Sequence, residues 1–274
     1  MADVINRQGL GMDDMAAGRE NVLSCNAINK RYGDDLILRD VHLTLKRGEI
    51  VSVLGQSGSG KTTLFNILAG LESDFSGEVS RPLRVGYMLQ KDLLLPWKRV
   101  IDNIALPLLL KGTGRKEARS QAGAYLETFG LTGLAHRYPA TISGGQRQRA
   151  ALLRTYLYSR DLMLLDEPFS GLDAITREQL YQWLLSHQET LGMSILLITH
   201  DIEEAIALSD RVYVMTQGPA ATLWPSVGVP HDARMRPRNE IADAYLSEEQ
   251  LAQVGRIRVE IRRRLFSSEP DNPA

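Results

Sequence analysis

Hydrophobic residues fall into compact apolar runs separated by stretches with helical spacing. The runs at residues 50–54, 162–165 and 195–199 are short, and each is followed by a glycine or a polar residue, which is typical of buried strands. Residues 176–191, between the last two runs, have the spacing of a helix. Strands that alternate with helices predict an α/β fold with a mainly parallel sheet.

The remaining pattern predicts two additions to this sheet. Residues 22–32 and 36–45 alternate as strands do and are broken by a turn at Gly33, so we expect an antiparallel β part near the N-terminus. From residue 100 to about 158 the pattern is helical, and residues 115–129 form an amphipathic stretch that ends at Gly130. Shorter elements are predicted as a helix at 62–69 and a strand at 85–89.

Length, charge and composition limit the possible classes. A chain of 274 residues with 43% hydrophobic residues can bury the core of one large domain. A net charge of -1 gives no general attraction to nucleic acid or to an anionic membrane. A single cysteine, Cys25, excludes an internal disulfide and suits a reducing cytoplasm. No apolar run approaches the ~20 residues of a membrane span, so we expect a soluble chain whose membrane role requires a partner.

A glycine-rich loop follows the first buried run. Gly55-Gln-Ser-Gly-Ser-Gly-Lys-Thr-Thr63 matches G-x-x-x-x-G-K-[ST], in which backbone N–H groups and the next helix face phosphates. Lys61 is expected to reach the β- and γ-phosphates, and the Thr62 hydroxyl to bind Mg²⁺. The alternative is a glycine-rich turn before a helix. The candidate nucleotide-binding residues here are Gly55, Gln56, Ser57, Gly58, Ser59, Gly60, Lys61, Thr62 and Thr63.

Two acidic residues follow the apolar run at 162–165. Asp166 and Glu167 are therefore expected at the carboxyl end of a buried strand, where parallel sheets bind their ligands. Asp166 is a candidate Mg²⁺ ligand, and Glu167 is a candidate catalytic base for the attacking water. The alternative is that both acids cap the next turn.

Ser143-Gly-Gly-Gln146 precedes these acids by about twenty residues. With the phosphate loop and Leu164-Leu-Asp-Glu-Pro168, it resembles the nucleotide-binding subunits of ATP-binding cassette (ABC) transporters over about residues 22–214. The resemblance implies that Ser143, Gly144, Gly145 and Gln146 contact the γ-phosphate of ATP held by the opposite subunit, so that two chains clamp two ATP molecules head to tail. A simple helix N-cap would account for Ser143 but not for the double glycine or Gln146.

The resemblance assigns further roles. Tyr32 is expected to stack on adenine, although a strand tyrosine alone more often packs in the core. Gln90 is expected to sense Mg²⁺ and water, and Ser170-Gly-Leu-Asp173 to communicate across the dimer. His200 follows a buried strand and is expected to contact the γ-phosphate, although a lone histidine is more often structural.

Residues 91–108 resemble the corresponding segment of importers of the nitrate, sulfonate and taurine group. This implies import of a small anion or sulfonate-like nutrient, with integral membrane permease subunits as direct partners and a periplasmic or lipid-anchored substrate-binding protein as an indirect one. The chain would lie peripherally on the cytoplasmic face of the inner membrane. Residues 93–100 would then receive the permease, with Trp97 as an anchor. The alternative is that Trp97 packs inside the helical insertion.

Two other functional classes remain as alternatives. A soluble ABC-type ATPase that remodels DNA or ribosomes generally has two cassettes or long coiled-coil arms, and this chain has neither; no nucleic-acid partner is expected. A non-hydrolysing nucleotide-binding scaffold is disfavoured because Lys61, Glu167 and His200 are all present.

The pattern divides the chain into three regions. We expect a flexible N-terminus at 1–20, an ABC ATPase domain at 21–225 with a helical insertion at about 91–158, and a C-terminal extension at 226–274. Residues 213–224 are predicted to form a hairpin around Gln217-Gly-Pro219, and a helix capped by Ser247 to run to about Phe266. The basic side of that helix is predicted to be a solvated face, with lipid contact as the alternative. Its arginines are Arg256, Arg258, Arg262, Arg263 and Arg264.

Overall fold

The computed structural model describes residues 20–230 and 248–267. The flexible N-terminus expected at residues 1–20 lies outside the described residues except for Glu20, and so does the cap expected at Ser247. The strands in chain order are β1 (Asn21–Tyr32), β2 (Asp35–Lys46), β3 (Ile50–Leu54), β4 (Ser76–Ser80), β5 (Gly86–Met88), β6 (Met163–Asp166), β7 (Ile195–Thr199), β8 (Arg211–Val214) and β9 (Val227–Gly228). The helices are α1 (Lys61–Ala69), α2 (Val100–Ile104), α3 (Leu106–Leu110), α4 (Arg115–Gly123), α5 (Gly144–Tyr158), α6 (Ala174–Gln188), α7 (Ile202–Leu208) and α8 (Glu248–Leu265).

The central sheet confirms the predicted parallel α/β fold. Its strand order is β5-β6-β7-β3-β8-β9, and every pairing is parallel except that of β9 at the edge. All residues of β3 and β7 are buried, as their mainly apolar sequences favour. Because the strands are parallel, the carboxyl ends of β3, β5, β6 and β7 meet at one edge, where the phosphate loop also begins.

A second, antiparallel sheet has the order β2-β1-β4. Its apolar side, which includes Leu23 and Ile28, packs with Phe65 of α1. The third strand, β4, was not predicted from the sequence. Its residues are exposed apart from the half-buried Val79, so no apolar alternation marks it. Pairing with β1 defines it instead.

The predicted helical insertion is present, but one helix is shorter than predicted. The helix expected over residues 115–129 ends at Gly123, and turns continue to Gly130. Glycine has a low helix propensity, which favours an end at this point. The turns bring Phe129 to a fully buried position, with its ring centroid 4.6 Å from that of Trp183. The apolar periodicity therefore predicted the burial of Phe129 correctly, but it did not predict where the helix ends.

The C-terminal elements cover one side of the central sheet. The predicted hairpin is reduced to an antiparallel bridge between Met215 and Leu223. Helix α8 buries Ile257, Ile261 and Leu265 in a cluster that also contains residues of β3, α7 and β8. The boundary expected at residue 225 stays a prediction. Within residues 20–230 and 248–267, no helix has both the length and the apolar character needed to cross a bilayer.

Candidate functional site

The phosphate loop connects β3 to α1 through tightly packed glycines. Gly58 and Gly60 have φ angles of 79° and 92°, in the region that favours glycine. A Cβ on Gly55 would lie 2.9 Å from Ser59 Oγ and 3.1 Å from Met215 Cβ, so a side chain there would displace the loop. Gly60 caps α1, and the first N–H groups of that helix face the loop without a side-chain cap. This arrangement suits an anionic ligand.

Lys61 lies inside this loop. Its Nζ donates to the carbonyl oxygens of Gly55 and Gln56, at 2.8 and 2.6 Å, and the residue is only 7% exposed. Burial lowers the pKa of its ammonium, whereas the negative charges of Glu167 and Asp166 act in the opposite direction. The Ser59 hydroxyl is buried without a hydrogen-bond partner in the protein. A buried hydroxyl with no partner in the protein, beside a lysine ammonium, fits a loop that binds phosphate.

Glu167 lies between Gln90 and His200. Gln90 Nε2 donates to Glu167 Oε2 at 3.1 Å, and His200 Nδ1 is 3.1 Å from Glu167 Oε1. The three residues follow β5, β6 and β7, so the parallel sheet brings them together although they are far apart in sequence. Glu167 has a φ angle of 44°, an uncommon conformation for a residue with a side chain. The Glu167 N–H donates to the Ile198 carbonyl at 3.0 Å, which holds this conformation.

Asp166, the last residue of β6, is buried beside this group. Burial raises the pKa of its carboxyl, the neighbouring Glu167 raises it further, and Lys61 and the Thr62 hydroxyl oppose this. Within the described residues, no cluster of three or more His, Cys, Asp or Glu residues forms a metal site. A carboxylate and a hydroxyl fit Mg²⁺ when substrate phosphates and water supply the other ligands.

Tyr32 lies at the end of β1, and half of its surface is exposed, so it is not a core residue. Its hydroxyl lies 3.3 Å from Glu72 Oε2, and Lys30 Nζ lies 4.6 Å from the ring centroid. The ring is therefore anchored by neighbours yet accessible, as a stacking residue must be.

Ser143, Gly144, Gly145 and Gln146 begin α5 and lie on a different element from the phosphate loop. Gln146 Oε1 accepts from the Ser143 N–H at 2.9 Å, and the Gln146 N–H donates to Ser143 Oγ at 3.3 Å. This capping box accounts for Gln146, contrary to our reasoning from the sequence. A Cβ on Gly145 would lie 2.5 Å from Thr176 Cγ2, so this glycine lets α5 approach α6. A role toward a second subunit stays a prediction.

Trp97 is 71% exposed, so the alternative that it packs inside the helical insertion is wrong. Its segment is held by the buried Asn103, whose Oδ1 accepts from the Leu95 N–H at 2.6 Å and whose Nδ2 donates to the Lys98 carbonyl at 3.2 Å. Leu94 and Val100 are buried, so the surface expected over residues 93–100 cannot include their side chains. The indole is presented outward on a fixed loop.

Three residues near Glu167 and His200 were missed in the sequence: Arg177 and Tyr181 of α6, and Glu204 of α7. Arg177 and Tyr181 lie one helical turn apart on α6, and Glu204 lies close to the residue that caps α7. Charged and aromatic side chains are common at such positions, so no sequence signal distinguished these three residues. Arg177 and Glu204, with Glu167 and His200, line a cavity of about 130 Å³.

Known proteins with similar sequences and folds support the resemblance. A family model described as ABC transporter matches residues 38–170. A formylaminopyrimidine import ATP-binding protein of Halalkalibacterium halodurans is 44% identical over 202 residues, which cover 73% of this chain and 81% of that protein. An aliphatic sulfonates import ATP-binding protein of Paracoccus denitrificans is 44% identical over 209 residues, covering 76% and 84% respectively. A solved dimeric bacterial ABC transporter cassette matches with a TM-score of 0.65 and 29% identity, over 76% of this chain and 99% of that structure.

Proposed function

Because this chain belongs to the ABC transporter family as an ATP-binding subunit and is an ATPase, we propose that it powers the import of a small anionic or sulfonate-like nutrient. The main support for an ATPase site is the contact of Glu167 with both Gln90 and His200. These residues lie at the edge of the sheet where the phosphate loop begins. The import role is supported by the two relatives, which are named as import ATP-binding proteins.

We propose that Glu167 takes a proton from the attacking water as it adds to the γ-phosphorus of ATP, giving ADP and phosphate. Gln90 and His200 contact the two carboxylate oxygens of Glu167 and so fix its orientation. Lys61 would transfer from its loop carbonyls to the β- and γ-phosphates, and the loop residues 55–63 would enclose them. Tyr32 would stack on adenine.

Mg²⁺ would be held by Asp166 and Thr62, with Gln90 as a further ligand, and would neutralise phosphate charge when bound. The Thr62 hydroxyl and the buried Asp166 carboxyl already interact, so both ligands lie at one point of the site.

We propose that two chains form a head-to-tail dimer, in which Ser143 to Gln146 of one chain complete the ATP site of the other. The N-terminus of α5, with exposed Ser143, would offer N–H donors and the positive helix end to the γ-phosphate. A solved bacterial ABC transporter cassette that is dimeric supports the dimer in general.

Permease subunits are the proposed membrane partners, which would place the chain peripherally on the cytoplasmic face of the inner membrane. Two exposed apolar features support a docking role. One is Trp97, and the other is a groove of about 400 Å³ whose walls include Leu71, Leu106 and Leu110. The substrate-binding protein would act through the permease.

The test of import is uptake of labelled substrates by cells that lack this gene, complemented with the wild-type chain or with Glu167→Gln. Aliphatic sulfonates, taurine and nitrate are the candidates, and a formylaminopyrimidine, which is neither an anion nor a sulfonate, is the comparison substrate. We expect the wild-type chain to restore uptake of one of the three candidates and Glu167→Gln to restore none. Restored uptake of the formylaminopyrimidine alone, or uptake of all three candidates without the gene, would contradict the proposed substrate class.

Docking is tested by co-purification of Trp97→Ala with the permease. We expect weaker assembly, since a buried interface aromatic typically contributes ~2 kcal/mol or more. The melting temperature of the chain alone should not change because the indole is exposed. Leu83→Ala is the matched control, since Leu83 is 94% exposed. Normal assembly of Trp97→Ala would exclude the indole as an anchor.

A further inference from the structure

One guanidinium joins two segments that flank the catalytic group. Arg177 Nη2 donates to the Leu172 carbonyl at 3.0 Å, within the loop at residues 170–173. Arg177 Nη1 lies 3.7 Å from Asp201 Oδ2, and Asp201 directly follows His200. The arginine side chain is 26% exposed, so water screens these contacts only in part. Two different terminal nitrogens of its planar fork make these two contacts, whereas a lysine would have to reach both partners from one nitrogen.

A second contact joins the same two helices one turn further along α6. The Tyr181 hydroxyl donates to Glu204 Oε2 at 2.6 Å, and Glu204 is only 5% exposed. The Tyr181 ring also packs edge-on against Phe169, at 4.9 Å between centroids, in the segment that follows Glu167. Helices α6 and α7 are therefore fixed to each other near the cavity that Glu167 and His200 line.

The start of α7 depends on these contacts. Asp201 Oδ1 accepts from the N–H groups of Glu203 and Glu204, at 2.9 and 3.2 Å, and so caps the helix. Helix α7 has only seven residues, too few to be stable alone, so its neighbours set its orientation. His200 immediately precedes the cap and reaches Glu167 at 3.1 Å. A shift of Asp201 would therefore change the contact between His200 and Glu167.

We infer that Arg177 is a positioning residue, which transmits the position of the loop at 170–173 to His200 through Asp201. The inference rests on the proposed catalytic roles of Glu167 and His200. When the loop moves, the guanidinium would move with the Leu172 carbonyl to which it is hydrogen-bonded. The ion pair between Arg177 and Asp201, the residue that caps α7, would then be kept or lost. The contact between His200 and Glu167 would then form fully only when the loop is in place.

The test is steady-state ATP hydrolysis by the full chain with Arg177→Met, which keeps an unbranched apolar stem and removes the charge and the donors. We expect kcat to fall about 100-fold, since small misplacements of catalytic groups have effects of this size. The KM for ATP should change less than about threefold, because Arg177 touches no residue of the phosphate loop. Arg177→Lys should give an intermediate kcat, since it keeps the charge but has a shorter side chain with one nitrogen in place of the two that make these contacts.

Arg119→Met is the matched control. Arg119 is also half-buried and pairs with a carboxylate, Asp102, through two hydrogen bonds of 2.8 Å, but it lies in the helical insertion. We expect this variant to keep its kcat. An equal loss of kcat in both methionine variants would overturn the inference, since it would indicate general destabilisation.

A parallel measurement on Glu167→Gln distinguishes a failure of the positioning role of Arg177 from a failure of the proposed active site. If Arg177→Met keeps near wild-type kcat while Glu167→Gln is inactive, the positioning role is wrong and the proposed active site stands. If Glu167→Gln itself keeps wild-type turnover, the proposed active site is wrong and the positioning role falls with it.

Discussion

Replacing Glu167 with glutamine is the sharpest test of the active site, because the substitution removes a proton acceptor and little else. The amide keeps the size of the carboxylate. Its oxygen can accept from Gln90 Nε2, and its nitrogen can donate to a neutral His200 at Nδ1, so both contacts of 3.1 Å can survive. The uncommon φ angle of 44° belongs to the backbone and does not change. We therefore expect the variant to fold and to bind ATP normally.

The expected loss is in turnover. A positioned general base typically contributes 10²–10⁴-fold, or about 3–5 kcal/mol of transition-state stabilisation. Phosphate release under saturating ATP measures this directly. If hydrolysis is what separates the two chains, the variant should also shift from monomer to dimer with ATP on size exclusion. Glu189→Gln is the control, since Glu189 is an exposed carboxylate at the end of α6.

Turnover within about threefold of wild type would refute the reasoning, because no loss of a general base is that small. Normal turnover of Glu167→Gln with normal ATP affinity would mean that another group acts as the base. A loss of turnover in the Glu189→Gln control would show that the assay responds to surface charge rather than to the site.

Three further predictions concern the dimer contact, a buried carboxyl and the C-terminal helix. Gly144→Asp should keep ATP binding but abolish ATP-driven dimerisation and turnover, because its carboxylate would face a γ-phosphate; a Cβ there has its nearest neighbour at 3.4 Å, unlike at Gly145. Glu204→Gln should raise the melting temperature more at pH 8 than at pH 4, since burial raises the Glu204 pKa above its ordinary 4.5 and native stability is lost as pH rises through the raised value. Ile261→Ala should lower the free energy of unfolding in urea by about 2–5 kcal/mol because Ile261 is fully buried, whereas the exposed Val259→Ala should have little effect.

Each of these has a contradicting outcome. Normal turnover of Gly144→Asp would exclude the start of α5 from the site of a second chain. A larger rise in melting temperature for Glu204→Gln at pH 4 than at pH 8 would mean that the folded state stabilises the ionised carboxylate of Glu204. Equal effects of Ile261→Ala and Val259→Ala would show that α8 does not stabilise the cassette.

The sequence predicted the elements that local patterns define. The buried strands β3 and β7 were predicted at their observed bounds because short, mainly apolar runs followed by a glycine or a polar residue have few other interpretations. The phosphate loop and Asp166–Glu167 were predicted from spacing and from their position after such runs. The roles of Gln90 and His200 were predicted from the resemblance alone, and it is the structure that places both beside Glu167.

What the sequence did not predict depends on tertiary contacts. The polar β4 is a strand only because β1 pairs with it, and the helix at 115–123 ends early so that Phe129 can pack on Trp183. The capping box is an exception, because it is a local pattern: Ser143 and Gln146 have its spacing, yet it was not predicted. The burial of Glu204 cannot be read from two adjacent acids, Glu203 and Glu204, of which only the second is buried.

The position of Lys61 changes how nucleotide binding should be regarded. Its ammonium already makes two short hydrogen bonds to carbonyl oxygens of its own loop. If Lys61 binds the phosphates as proposed, ATP would replace one set of hydrogen-bond acceptors of the ammonium with another. The net gain would be the difference between phosphate and carbonyl as acceptors, which is smaller than the contact itself. The two existing hydrogen bonds also restrict the loop before ATP binds, so that less chain entropy would be lost when the phosphates arrive.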